Sequence, residues 1–300
     1  WVIIHRDLYM YEGDLNYLRE QQEYMRALLR VLASQMDGDR ENLQGGQRLL
    51  DWPTSQMPDV IHAGYQALMV MAMEAGAEIG GWLGDRQMQS ECHGALRRLR
   101  RHVPDHLRNK QAAAMLVLAG LADPGKVCRT VIARGGAEGF STFYGYYMLE
   151  ALAEGGLYDE ALQIISDYWG AMLDLGATTF WEDLNYAHAA GAARIDEPVP
   201  AGKFDIHAES GAYCYKGLRH SLCHGWASGP TPWLSRHVLG IVPLEPGCKS
   251  VAVRPHLGHL KWAEGTFPTP WGVIRVRHER GADGKVSTSV SAPDGVRVVR

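Results

Sequence analysis

The chain has 300 residues, 46% of them hydrophobic and 21% charged, with a formal net charge of −4. That composition is far from the polar, highly charged corner where chains stay unfolded, and the length suffices for one large domain or a large and a small one. Scattered charges without a basic patch argue against a nucleic-acid partner, and no apolar run approaches the roughly 18 residues of a membrane span.

Both ends, Trp1-Val2-Ile3-Ile4 and Val298-Val299-Arg300, read as cut from a longer chain. Residues 2–11 have helical character, and Glu12-Gly13-Asp14 forms the turn to a second helix. Over 14–36, Leu15, Leu18, Tyr24, Met25, Leu28, Leu29 and Leu32 recur at helical spacing. A long helix is predicted over 59–83, closed by Leu83-Gly84-Asp85, the glycine stop and polar start expected between helices. Further helices follow over 86–101, 108–120, 125–134, 141–154 and 157–174. Residues 12–21 and 154–163 share one pattern, a tight glycine turn leading into a helix. Successive helices with short turns indicate stacked antiparallel hairpins.

From 176 to 229 the texture becomes Gly-, His- and aromatic-rich with little periodicity, which predicts long ordered loops, where sites tend to sit. A last helix is predicted over 230–239. Beyond Pro243 the period switches to two, over 250–254, 272–278 and 286–290, with Ala282-Asp283-Gly284-Lys285 as a hairpin signal. The predicted class is therefore mainly α, with 1–242 helical and 243–300 a small antiparallel β domain, apparently incomplete.

Three segments hold candidate chemistry. Gly176-Ala177-Thr178-Thr179-Phe180-Trp181-Glu182 places a carboxylate beside an indole at the start of the irregular region. Glu182 there suits a general acid or base tuned by partial desolvation, or a side chain satisfying backbone N–H groups at a helix start. His224, in Cys223-His224-Gly225-Trp226, suits a donor to sugar hydroxyls or a cap on the following turn. Asp51-Trp52-Pro53, between two long helices, offers a hydroxyl acceptor and a stacking face, or a loop cap and a core plug.

Other chemistries lack their motifs: there is no phosphate loop, no H-E-x-x-H and no G-x-S-x-G elbow. His102 and His106 are a helical turn apart, but Pro104 breaks the helix that a metal pair would need. Five cysteines (Cys92, Cys128, Cys214, Cys223, Cys248) fit neither a disulfide framework nor a zinc knuckle. No metal or cofactor is expected. Nine Trp and thirteen Tyr against five Phe give a surplus of rings with polar tips, suited to a wet cleft.

Taken in order, Asp51-Trp52, the Glu182 segment, the His224-Gly225 stretch running into Pro232-Trp233-Leu234-Ser235-Arg236-His237-Val238-Leu239-Gly240-Ile241, and the β region resemble the α-L-rhamnosidases of glycoside hydrolase family 78. The resemblance implies an (α/α)6 barrel, a toroid of helix hairpins, followed by a β-sandwich. It implies inverting hydrolysis of terminal α-L-rhamnosyl linkages, with Glu182 as general base and Asp51, Trp52, Trp181 and His224 around the rhamnose ring. The partner implied is a rhamnose-containing glycan or glycoside.

Inverting glycosidases need two carboxyl groups roughly 6.5–9.5 Å apart, one as acid and one as base. The family's acid lies in a motif upstream of the part matched here, so these residues alone are expected to show little activity. Glu78-Ile79-Gly80-Gly81-Trp82-Leu83-Gly84-Asp85 mimics that motif, but it follows Asp51-Trp52 rather than preceding it. Two rival readings are a non-catalytic carbohydrate-binding or assembly module on a toroid, and another α/α-barrel glycosidase or a lyase acting on uronic acid glycans. The last calls for Arg or Lys near the pocket, and the segments around Asp51, Glu182 and His224 offer little of either.

Overall fold

The protein is described from a computed structural model covering residues 1–206 and 220–300; Cys214 lies outside these. Helices dominate up to residue 233, as α1 (Val2–Glu12), α2 (Leu15–Glu20), α3 (Gln22–Ser34), α4 (Pro58–Leu83), α5 (Arg86–Leu99), α6 (Lys110–Leu118), α7 (Pro124–Val127), α8 (Gly145–Glu154), α9 (Tyr158–Asp174) and the short α10 (Tyr186–Ala189). Side chains start them where sequence placed polar residues. Asp14 accepts from the Asn16 and Tyr17 amides, Asp85 from Met88, Asn109 from Ala112 and Asp123 from Lys126.

Three helical expectations need correction. The helix expected over 14–36 is broken at Gln21, whose N–H turns back to the Leu18 carbonyl, so α2 and α3 are separate. The helix expected over 125–134 is a single turn of α7 continued as a π-helical turn, Cys128–Ile132. Likewise the segment expected over 230–239 is one α turn, Pro230–Trp233, followed by a π turn, Leu234–Val238. In the last two cases side-chain periodicity does not distinguish an α from a π ladder, because over a single turn both place apolar residues on one face.

The chain divides into two compact units. One comprises residues 1–46, 65–104 and 234–300; the other comprises 47–64 and 105–233. In the first, α1–α3 and α5 accompany a small hairpin, β1 (Met36–Asp37) and β2 (Arg40–Glu41). Asp85 ties α3 to the start of α5 by accepting from Gln22 and Arg26. Burial opposes its ionisation, but the Met88 amide, Arg26 and Gln22 outweigh that and hold its pKa down to about 2. Glu78, in the segment that mimics an acid motif, is half-exposed and pairs with Arg6 at 2.9 Å. Both carboxylates are thus occupied by local structural partners.

The C-terminal β region belongs to the same unit. It holds β3 (Ile241–Pro243), β4 (Ser250–Val253), β5 (Trp262–Thr269), β6 (Gly272–Arg280), β7 (Val286–Ser291) and β8 (Arg297–Val299). One sheet has the order β3-β4-β8 and the other β5-β6-β7. Ile241, Cys248, Val251, Val253, Ile274 and Val276 form their common core, with Phe267, Val290 and Val298 against it. The expectation of a purely antiparallel domain is corrected at one pair: β4 and β8 run parallel. β5 escaped the sequence reading because Gly265 and Pro268 interrupt it, and an edge strand tolerates both.

In the second unit, α6 and α8 are buried along almost their whole length, with α9 packed on α8. Among the described residues, no helix is long and apolar enough to cross a membrane. Of the described cysteines, Cys92, Cys128 and Cys248 are buried, Cys223 is exposed, and all four are free thiols.

Candidate active site

Antiparallel succession of α6, α7, α8 and α9 brings the start of α6, the start of α8 and the end of α9 to one end of the second unit. Residues 133–144 and 175–185 lie in the connections at that end. Side chains of α8 and α9 hold the loops down. The Tyr168 hydroxyl donates to the Leu184 carbonyl at 2.8 Å, and the Trp169 indole donates to Ala227 at 2.9 Å.

Asp51 caps a 3-10 turn, Trp52–Thr54, and is buried. One carboxylate oxygen accepts from the Trp52 amide at 2.9 Å. The other accepts from the Ser141 hydroxyl at 2.5 Å and from the Gln111 amide at 3.3 Å. Burial raises its pKa despite these donors. Three donors occupy three of about four acceptor positions on a carboxylate, leaving room for one more.

Glu182 is 5% exposed. Its backbone N–H donates to Ser221 O at 2.9 Å, and its Oε2 accepts from the Ser221 amide at 3.1 Å. Thr142 donates its hydroxyl to the Glu182 carbonyl. Nearby, the His224 amide donates to Phe180 O at 2.8 Å and the Thr179 hydroxyl to Leu222 O. The two loop segments are thus laced together, and among the described residues the backbone fixes the carboxylate through Oε2 alone. Its Oε1 lies 3.9 Å from Nε2 of His224, too long for a hydrogen bond.

The expected role of Glu182 in satisfying a backbone amide is met by the Ser221 N–H, and among the described residues its Oε1 accepts no hydrogen bond. His224 precedes the 3-10 turn Gly225–Ser228 without capping it through its side chain. Its ring lies 4.3 Å from that of Trp226, which stacks on Phe143 at 5.1 Å. Trp52 is half-buried, so part of its indole is accessible, whereas Trp181 is 1% exposed and packs as a wall beneath the surface.

The structure adds residues that the sequence did not single out. Asp183 is half-buried, and burial, together with repulsion from Asp51 and Glu182, raises its pKa to about 6. Its amide donates to Nε2 of His220 at 3.1 Å, which leaves the proton of the neutral ring on Nδ1. Burial lowers the His220 pKa, against the pull of Glu182. Ser141, Thr142 and Gln111 complete the cluster as donors to the two carboxyl-bearing residues. Among the described residues, no group of three or more His, Cys, Asp or Glu side chains is arranged to hold a metal ion.

Helix hairpins with carboxylates in their connecting loops are followed along the chain by a small two-sheet β domain. The specific likeness is to α-L-rhamnosidases. Residues 240–299 match the family model described as the bacterial alpha-L-rhamnosidase C-terminal domain. The GH78 rhamnosidase of Bacillus sp. GL1 superposes over 99% of this chain and 32% of its own, at 20% identity and a TM-score of 0.76. The α-L-rhamnosidase of Streptomyces avermitilis, solved with L-rhamnose, matches over 97% of this chain and 28% of its own, at 21% identity and a TM-score of 0.74. That of Aspergillus terreus matches over 99% and 36%, at 15% identity and a TM-score of 0.73. The chain thus spans about a third of the length of these structures. No curated protein matches it in sequence. The family resemblance read from the motifs is borne out in the fold and in the C-terminal domain.

Proposed function

We propose that this chain is the base-bearing part of an inverting α-L-rhamnosidase, with its helices forming a portion of an (α/α)6 barrel. The observation that carries the reading is the Glu182 carboxylate, buried and anchored through Oε2 while Oε1 faces His224. A general base needs a fixed carboxylate with an open oxygen to take a proton from water as that water attacks the anomeric carbon. His224 lies on the open side, where its imidazole reaches a sugar hydroxyl or the attacking water.

Asp51, pre-oriented by Ser141, Gln111 and the Trp52 amide, accepts from a ring hydroxyl with its remaining lone pair. The accessible face of Trp52 covers the C–H and methyl surface of the deoxy sugar, and Trp181 backs the loop that carries Glu182. The general acid, which protonates the leaving oxygen, lies outside these residues. The fold shared with rhamnosidases, one of them solved with L-rhamnose, supports the choice of sugar.

The test is Glu182→Gln in the protein at its natural length, assayed on an aryl α-L-rhamnoside. Loss of general-base help costs about 10²–10⁴ in turnover. Turnover retained within about tenfold rejects the assignment on the same scale. Proton NMR of the first product reports the stereochemistry, and initial release of α-rhamnose would exclude inversion.

A further inference from the structure

We infer that a basic recess beside Asp51 is a subsite for the carboxylate of a uronic acid, making the substrate an acidic rhamnoside; only the identity of the neighbouring sugar rests on the hydrolase reading above. The recess, of about 560 Å³, is lined by Arg108, Lys110, Thr130, Arg134, Glu138 and Gly139, among others. It holds three cationic side chains against one acidic one. Lys110 is half-buried, with Nζ donating to Gly136 O at 2.8 Å and lying 5.1 Å from the centre of the Phe140 ring. Burial lowers its pKa to about 8, with Glu138 pulling the other way, so it is still mostly charged at neutral pH.

Arg108 and Arg134 are exposed, and no partner engages either guanidinium among the described residues. Leu107 and Arg108 both adopt left-handed backbone, at φ 50° and 57°, a strained pair that tight local bonds maintain. The loop is therefore held in an unfavourable conformation at the position that presents Arg108 to the recess.

The recess and the sugar site share their walls. Gln111 follows Lys110 in the first turn of α6, and its amide points to Asp51 Oδ2 at 3.3 Å and to Gly139 O at 3.5 Å. Gly139 lines the recess, while Ser141, two residues on, donates to Asp51. A sugar held by Asp51 thus has a cationic neighbour on the far side of Gln111. Two unpaired guanidinium forks suit a planar carboxylate, which they bind bidentately, and the lysine adds charge. The cations that an acidic glycan requires come from 108–110 and 134, segments remote in sequence from Asp51, Glu182 and His224.

The probe is an α-L-rhamnosyl-glucuronic acid disaccharide, compared with its methyl ester, which removes the charge and keeps the shape. Titration calorimetry on the natural-length protein is expected to give about tenfold or more tighter binding of the acid, the worth of a charge-assisted pair. In Arg108→Ala/Arg134→Ala the ratio of acid to ester affinity falls towards one. An acid-to-ester ratio near one in the unmodified protein overturns the subsite, as does a ratio unchanged in the double variant. Because binding is read separately from turnover, a preserved acid preference without hydrolysis of either glycoside rejects the hydrolase reading and leaves the anionic subsite standing.

Discussion

Asp183 shares its surroundings with Asp51 and Glu182, and three neighbouring carboxylates in a partly buried site resist simultaneous ionisation. The cost falls on Asp183, whose pKa rises to about 6 through burial and repulsion. An acid with a raised folded-state pKa binds more protons folded than unfolded, so its contribution is fully present below the unfolded value and is lost as pH rises. The window runs from about 4, the unfolded value, to about 6. Asp183→Asn is therefore expected to stabilise the protein at pH 7.5, by on the order of 2 kcal/mol, and to change little at pH 4. Thermal melting at the two pH values measures this, and equal shifts at both would contradict the cause given. Glu182, Asp51 and His224 could be singled out as candidates because each sits in a short phrase with a chemical rationale. Ser141 and Gln111 were not, since their bonds to Asp51 span 90 and 60 residues, and neither type of side chain marks a site by itself.

At the scale of elements, the loops carrying the candidate site are held by buried hydrogen bonds from helices rather than by regular structure of their own. Tyr168 and Trp169 are adjacent on α9, one reaching the 181–185 loop and the other the turn after His224. Tyr168→Phe keeps the ring and strands the Leu184 carbonyl, so a loss of about 1–3 kcal/mol is expected. Urea denaturation reads it, and an unchanged midpoint would show that the carbonyl finds another donor. The hairpin helices themselves were readable from apolar periodicity and from glycine and aspartate at their ends. The π turns were not, because the same residues serve either ladder. The parallel partner of β4 was equally hidden, since β8 lies 44 residues beyond the end of β4 in a pairing that no local turn announces.

For the molecule as a whole, the first helix and the C-terminal β domain belong to one compact unit, which joins residues more than 230 positions apart. Where the two come closest, the contact is bare backbone. Gly13 closes α1 at φ 70°, and a Cβ placed on it would lie 2.7 Å from Cα of Gly247. Gly247 in turn receives the Trp271 indole N–H on its carbonyl at 2.8 Å, while Cys248 Sγ lies 3.6 Å from the carbonyl oxygen of Tyr11. Two backbones this close leave no flexible side chain to give way, so a methyl group must push the segments apart. Gly84, in the same unit, has the same φ of 70° with nothing within 4 Å of its would-be Cβ. Gly84→Ala therefore isolates the left-handed strain, about 1–2 kcal/mol, and Gly13→Ala adds the overlap to it. Denaturant unfolding of the two variants is expected to place Gly13→Ala lower by at least about 1 kcal/mol, the scale of an overpacking penalty. Equal losses would mean that the helix end and the β domain yield to each other freely, and the seam would then contribute nothing to holding the first and last parts of the chain together.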